Sequence, residues 1–536
     1  MNSVPVIPES APFTAEQRAY LNGYLAGLFA RGTSPAETGS DAAAKQLIPL
    51  TILYGSQTGT AESLAKQLAK TAAAKQFVAT VTDMAQVNAD VLSNARHLFI
   101  ITSTYGDGEP PDNAKDFWNA LSQENFPKLP AIPFSVFALG DTSYEKFCQF
   151  GKDLDLRLES LGAKRIYERI DADTDYEQAF QSWAQGALGA LAGVASEGGF
   201  SDSKPGTATA VALSAEEAGE RYSKKKPFAA KLVTNRLLNL AGSEKEVRHF
   251  EIQLDDTITY EPGDALGVIP KNNPKKVEEV LRRFGFHADE ALVTALSETY
   301  DLKKLPERAE TPSELMAALK KIQPRLYSIS SSPKAHPNEV HLTVSVVRYE
   351  SGGEKQEGLC SSFLADRVGD APLPAYVHKN SAFRLPNDGD KPVIMVGPGT
   401  GIAPFRAFLE ERRATGARGQ NVLFFGEQRA ASDFYYRDEL GAMVKDNFLT
   451  LYTAFSRDQQ AKIYVQHRML ENAQQVYALL EQGAFFYVCG DAARMAKDVE
   501  LALHQIVERS AGKSFDEAKE YIAQLRSQKR YLRDVY

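Results

Sequence analysis

Arg325-Leu326-Tyr327-Ser328-Ile329-Ser330-Ser331-Ser332 reads as a short strand running into a hydroxyl-rich turn. The period-2 alternation of a strand puts Arg325 and Tyr327 on one face and Leu326 and Ser328 on the other. A cation, an aromatic ring and neighbouring hydroxyls can together hold a phosphate and a flat heteroaromatic ring. The same residues also suit an edge strand with an exposed Arg and a half-buried Tyr, so the stretch takes its meaning from its surroundings. Phosphate-cradling loops lie on both sides of it, at about residues 55–61 and 397–404.

At 536 residues the chain exceeds what one core organises, and about two to four domains are expected. Hydrophobic residues make up 43% and charged residues 24%, as in an ordinary globular protein. A net charge of −8 lacks the basic footprint of nucleic-acid binding. The 3 cysteines, Cys148, Cys360 and Cys489, are far apart and odd in number, which suggests neither a disulfide framework nor a metal site, and a reducing compartment. No apolar run is long enough to span a bilayer and no signal peptide opens the chain, so a cytoplasmic protein with no membrane attachment is expected.

Residues 1–46 form an N-terminal segment in which Thr14-Ala15-Glu16-Gln17 has the form of a capping box. The helix expected over 14–31 carries an apolar stripe of Tyr20, Leu21, Tyr24, Leu25, Leu28 and Phe29, open to homo-oligomerisation, partner binding or docking on its own chain. Over 47–190, strands at 50–54, 97–102 and 134–139 alternate with helices at 61–75, 114–121 and 149–161 and a last helix, which predicts a doubly wound parallel sheet. Such sheets bind ligands at the carboxyl ends of their strands. Ser56-Gln57-Thr58-Gly59-Thr60, before a helix starting at Ala61, can hold a phosphate on N–H groups and hydroxyls, though helix capping explains it as well. Ser103-Thr104-Tyr105-Gly106 and Leu139-Gly140-Asp141-Thr142-Ser143-Tyr144, continuing to Phe147-Cys148, each lift a Tyr beside glycines, so an aromatic ring fits between Tyr105 and Tyr144.

Residues 191–226, rich in Gly, Ser, Ala and Thr, read as a flexible linker. From 227 to 390, β-rich segments at 229–238, 246–254 and 340–349 surround a helical insertion at about 274–321. Gly358-Leu359-Cys360-Ser361-Ser362 opens a helix and makes a second phosphate site, with Cys360 a packing residue. A second strand–helix alternation fills 391–536 and begins with Val393–Val396 and Gly397-Pro398-Gly399-Thr400-Gly401. That loop is not the dinucleotide fingerprint by spacing, and its support comes from later strand ends, including Tyr487-Val488-Cys489-Gly490-Asp491. Ser456 and Arg457, with Lys462, Tyr464 and Gln466 close behind, suit a terminal phosphate, which favours NADPH over NADH.

The three N-terminal loops resemble those of the flavodoxin family. That resemblance implies FMN, with Ser56, Gln57, Thr58, Gly59, Thr60 and Ala61 on its phosphate and Tyr105 and Tyr144 against its ring. Ser103, Thr104, Gly106, Leu139, Gly140, Asp141, Phe147 and Cys148 complete the implied set. Arg325–Ser328, Gly358–Ser362, Gly397–Pro404, Ser456-Arg457, Tyr487–Asp491 and Tyr531–Tyr536 resemble the ferredoxin-NADP reductase family, and the whole resembles a diflavin reductase. The implied architecture is multidomain α/β and β: a flavodoxin-like doubly wound parallel sheet, an FAD-binding antiparallel β-barrel with a helical connecting insert, and an NADP-binding Rossmann-like α/β domain. The insert is short for that family.

The implied FAD residues are Arg325, Leu326, Tyr327, Ser328, Thr343, Val344, Ser345, Tyr349, Gly358, Leu359, Cys360, Ser361 and Tyr536, and the NADP set adds Gly399, Thr400 and Asp498. Ser328, Cys489 and Asp534 match a polar network that assists hydride movement, and Tyr536 a residue that stacks on the flavin and yields to nicotinamide. The segments Thr14–Arg31, Leu139–Cys148, Gly397–Leu409, Tyr487–Val499 and Arg533-Asp534-Val535-Tyr536 most resemble the flavoprotein subunits of assimilatory NADPH-sulfite reductases. These imply electron flow from NADPH through FAD and FMN to a siroheme and iron–sulfur hemoprotein that reduces sulfite to sulfide for cysteine biosynthesis. The alternative is a soluble diflavin reductase for a cytochrome P450 or another one-electron acceptor, which Tyr105 favours by resemblance. A flavin-binding regulatory or assembly protein is a further possibility, but it has no need of a complete hydride site.

Overall fold

The computed structural model describes residues 48–536 apart from 57, 58, 76, 107, 143, 144, 198–221 and 352. The expected helix 14–31 and the linker's middle therefore lie outside the described residues. Four longer strands and a shorter pair build the first sheet: β1 (Ile48–Gly55), β2 (Phe77–Asp83), β3 (Leu98–Ser103), β4 (Pro133–Leu139), β5 (Lys164–Arg165) and β6 (Ile170–Ala172). The order is β2-β1-β3-β4-β5 with β6 also on β4, and every pair is parallel. Burial on both faces explains the unbroken apolar sequence of β3 and β4. β2 escapes a sequence reading because only Phe77 of Phe-Val-Ala-Thr-Val-Thr-Asp is buried, as suits an edge strand. The last helix, Glu177–Glu197, buries Trp183, whose indole donates to Ser135 Oγ at 2.8 Å, and runs on into the stretch read as linker.

The second unit is antiparallel: β7 (Phe228–Leu237), β8 (Val247–Gln253), β9 (Ala265–Val268), β10 (Arg325–Ser328), β11 (Glu339–Ser345) and β14 (Leu373–His378) pair in the order β10-β9-β14-β7-β8-β11. A bridge between Ile329 and Leu342 joins the two ends of this path into a barrel around Phe250, Leu266, Leu342 and Leu373. The strand expected over 340–349 breaks in two. Its first half is β11, and its second half, β12 (Arg348–Ser351), folds with β13 (Glu354–Glu357) into a separate hairpin that leaves Tyr349 48% exposed. The insert is three helices, Pro274–Phe284, Glu290–Glu298 and Pro312–Ala318, around a small core of Val280, Leu296 and Leu315. Asn273, Asp289 and Thr311 cap them, each accepting a first-turn N–H.

The third unit is a five-stranded parallel sheet, β15 (Val393–Val396), β16 (Asn421–Glu427), β17 (Thr450–Phe455), β18 (Phe485–Gly490) and β19 (Tyr531–Val535), in the order β17-β16-β15-β18-β19. Arg406, on the helix that follows β15, fastens this sheet to the barrel: Nη1 donates to the Ser330 carbonyl at 2.7 Å, and Nη2 lies 2.8 Å from Glu410. The hydroxyl-rich turn Ser330–Ser332 is fully buried at this seam. Ser331 Oγ meets the Tyr260 hydroxyl at 2.8 Å within the barrel, and Ser332 Oγ donates to Glu411 at 2.6 Å across the seam.

Candidate functional site

The parallel pairing of β18 with β19 sets Cys489 opposite Asp534 at the carboxyl ends of both strands. β10 from the barrel ends against them, and Ser328 Oγ donates to Asp534 Oδ2 at 2.6 Å while Cys489 Sγ lies 3.9 Å from the same oxygen. The three residues expected from sequence thus converge from two units. Burial raises the Asp534 carboxyl above the usual range, with the Ser328 and Cys489 hydrogen bonds opposing it. Burial, then the neighbouring carboxylate, push the Cys489 thiol well up, so it stays a neutral donor and not a thiolate nucleophile. Tyr536 closes the cluster: its amide donates to the Gly490 carbonyl at 3.0 Å and its hydroxyl lies 2.6 Å from Thr400 Oγ1. Tyr536 as a whole residue is 61% exposed.

Beside Tyr536 opens a cleft of about 240 Å3, lined by Lys245, Ser345, Gly399, Thr400, Glu427 and Asp491 among others. The loop Gly397–Gly401 presses on β18 here; a Cβ at Gly401 would lie 2.1 Å from the Cys489 carbonyl, so glycine is required for this approach. Ser456 and Arg457 follow β17, their amides donating to the carbonyls of Glu427 and Gln428 at 2.8 Å each. Arg457 pairs with Glu244 at 2.7 Å, Gln466 donates to Asp498 at 3.1 Å, and Lys462 and Tyr464 stand exposed in the same segment. Lys245 and Glu427 were not legible in the sequence: they pair across 182 positions, and no local motif marks either one.

In the barrel, Tyr327 packs on the core beside Cys360 while Arg325 and Leu326 are exposed. Of the β11 residues, Ser345 reaches the cleft, Val344 enters the barrel core, and buried Thr343 has its hydroxyl 2.6 Å from that of Tyr436. The helix Leu359–Asp366 opens at Gly358 without a side-chain cap. A Cβ at Gly358 would sit 2.7 Å from Ser361 Oγ and 2.9 Å from Val347, so only glycine keeps this opening clear. Gly59, likewise, precedes the helix Thr60–Ala73 with no side-chain cap. The uncapped opening at Gly358 suits a phosphate, while at the Thr60–Ala73 helix Ser56 Oγ accepts from one first-turn amide, that of Ala61.

Around the first sheet, Ser56 Oγ accepts from the Ala61 amide at 3.2 Å and the Ser56 amide donates to Asn113 Oδ1 at 2.8 Å. Thr104 Oγ1 accepts from the Phe150 amide at 3.2 Å, and Ser103 Oγ lies 3.5 Å from the Gly55 carbonyl. Cys148 and Leu139 are core residues; burial pushes the Cys148 thiol up to about 12, so neither side chain is a surface for a ligand. Gly106, Gly140, Asp141 and Phe147 rim the same strand ends. Gln57, Thr58 and Tyr144 lie outside the described residues. Tyr105 leans on the core of the third unit and donates its hydroxyl to the Val535 carbonyl at 2.5 Å. The first unit therefore meets the third beside the Asp534 cluster, through Asp112–Arg533 at 3.0 Å and Glu109–Lys497 at 2.7 Å.

Family models agree with this division: flavodoxin matches residues 52–183, an FAD binding domain 220–311 and 299–363, and an oxidoreductase NAD-binding domain 395–501. The chain is 40% identical over 590 aligned residues to the sulfite reductase [NADPH] flavoprotein alpha-component of Bacillus subtilis (strain 168), covering 98% of this chain and 96% of the relative. The protein of that name from Vibrio cholerae serotype O1 (strain ATCC 39315 / El Tor Inaba N16961) is 40% identical over 97% of this chain and 93% of its own length. That of Shewanella sp. (strain ANA-3) is 39% identical over 98% of this chain and 96% of its own. With three domain models and near-complete coverage in agreement, this chain belongs to the family of sulfite reductase [NADPH] flavoprotein alpha-components.

Proposed function

We propose that this chain is the NADPH-oxidising subunit of a cytoplasmic assimilatory sulfite reductase, delivering electrons to a siroheme and iron–sulfur hemoprotein. The observation that carries this reading is the meeting of Ser328, Cys489, Asp534 and Tyr536 at one point, beside a cleft lined by Thr400 and Lys245. When bound, NADPH, FAD and FMN supply the chemistry, two-electron transfer from the nicotinamide to FAD and one-electron transfer through FMN to the hemoprotein.

The chain's residues bind, orient and screen. Ser456, Arg457 and Lys462 receive the terminal phosphate of NADPH, with Gly399 and Thr400 at the mouth of the cleft; Tyr464, Gln466 and Asp498 shape the same surface. Arg325, Tyr327 and the opening at Gly358 hold FAD along the barrel. The Ser56–Ala61 loop holds the phosphate of FMN. Asp534, kept oriented by the Ser328 hydroxyl, places a carboxyl oxygen and a neutral thiol at the reacting edge, where they hold the proton balance while Tyr536 moves aside. Anaerobic mixing of the cofactor-loaded protein with NADPH is the direct test: the flavin absorbance bleaches within seconds, and NADH does so poorly. Equal bleaching by both nucleotides would remove the phosphate assignment, and no bleaching by either would remove the activity. The segment Thr14–Arg31 is the proposed contact for homo-oligomerisation.

A further inference from the structure

Arg457 leaves the carboxyl end of β17 on a main chain that is held at both of its polar groups. Its amide donates to the Gln428 carbonyl at 2.8 Å, and its carbonyl accepts from Arg429 Nη1 at 3.3 Å. The guanidinium reaches outward, and Nη1 meets Glu244 Oε2 at 2.7 Å. Glu244 belongs to another unit, the barrel, where it stands in the loop between β7 and β8, 213 positions away in the sequence.

That loop is fastened to the third unit on both sides of Glu244. Asp433 is buried, and its Oδ1 accepts from Asn239 Nδ2 at 2.8 Å and from Ser243 Oγ. The Leu240 amide donates to the Ser432 carbonyl at 2.8 Å, and Lys245 pairs with the buried carboxylate of Glu427. Ser243 and Lys245 are therefore both anchored, and the residue between them is presented to Arg457 by the fold.

A carboxylate on a guanidinium uses the same N–H donors that a phosphate takes. The Glu244–Arg457 pair is solvent-exposed and hence weak, so a phosphate dianion can displace it. The displaced carboxylate stays tethered beside the phosphate, and like charges repel. Displacement and repulsion both weaken the binding of a nucleotide with a terminal phosphate, and neither acts on a nucleotide without one.

We propose that Glu244 is a specificity-determining residue that acts as an internal competitor for Arg457, holding the guanidinium until the terminal phosphate displaces it and weakening NADPH and NADP+ alike. The oxidised product carries the same phosphate as the substrate, so the competitor favours its release. The proposal rests on the assignment of Arg457 to that phosphate.

The test uses the full chain loaded with both flavins, as wild type, Glu244→Gln, Arg457→Ala and the double variant. Dissociation constants for NADP+, NAD+ and adenosine 2′-monophosphate, a probe that carries the terminal phosphate alone, are measured by titration calorimetry at low and raised salt. Glu244→Gln is expected to bind NADP+ and adenosine 2′-monophosphate about three- to fivefold more tightly than wild type at low salt. The gain shrinks as salt is raised, is absent for NAD+, and is smaller when Arg457 is already Ala. Unchanged or weaker NADP+ binding in Glu244→Gln, with Arg457→Ala weakening it, would overturn the proposal alone, as would an equal gain for NAD+. Unchanged NADP+ binding in Arg457→Ala would remove the phosphate assignment itself, and the proposal with it.

Discussion

Asp534 is a carboxylate placed where its charge is costly, and the Ser328 hydroxyl at 2.6 Å is what favours its ionised form against burial. Removing that hydroxyl leaves only the Cys489 contact to oppose burial. In Ser328→Ala the acid limb of the pH profile for flavin reduction therefore moves to higher pH, while Asp534→Asn abolishes the limb and lowers the rate by roughly 100-fold; rapid-mixing rates across pH check both. Arg457 tests specificity in the same way. Arg457→Ala should raise the half-saturating NADPH concentration by about tenfold or more and leave that for NADH unchanged. Ser328 and Arg457 were legible because each sits in a short local pattern at a strand end. Lys245 and Glu427 were not, and the resting place of Tyr105 was not, because only the fold brings residue 105 to residue 535.

Among elements, the pair β8 and β11 carries a buried imidazole group that sequence reading passed over. His249-x-Glu251 and Glu339-x-His341 are spaced to share one face, and the antiparallel register sets His341 opposite Glu251. His249 Nε2 lies 3.2 Å from Glu251 and His341 Nε2 lies 3.2 Å from Glu339, so these donor atoms, which by number and distance could gather around a metal ion, are engaged with one another. Burial, then the Arg406 charge, hold His249 down to about 3 and His341 to about 4. Both imidazoles stay neutral in the folded protein while the unfolded chain takes up protons below pH ~6.5. Stability is thus retained above that pH and lost as pH falls from ~6.5 toward 4 and below, by about 1.4 kcal/mol per pH unit for each imidazole. Melting temperatures measured between about pH 7 and pH 5 should fall, and His341→Gln should flatten the slope.

β3 and β4 were legible from unbroken apolar runs, whereas β2, an edge strand with one buried residue, offered no such run. The strand expected to reach Tyr349 breaks where the barrel ends, a boundary fixed by tertiary packing and not by β propensity.

For the whole molecule, the alternation of parallel, antiparallel and parallel sheets was legible because each leaves its own period in the sequence. The docking of the first unit on the third was not, since its contacts, ion pairs and the Tyr105 hydroxyl bond, join residues far apart in the sequence. Exposed pairs such as Glu109–Lys497 weaken with salt, the buried Arg533 less so. Raising the ionic strength should expand the flavin-loaded protein in small-angle scattering, and Asp112→Asn should expand it at lower salt. Deleting residues 1–46 should lower the assembly state by light scattering if the apolar stripe of 14–31 joins copies. The route of electrons is tested by anaerobic NADPH oxidation by the flavin-loaded chain mixed with a siroheme sulfite reductase hemoprotein, with and without sulfite. Sulfite-dependent oxidation that yields sulfide is expected; rapid flavin reduction with no dependence on sulfite and no sulfide would exclude the hemoprotein as the acceptor.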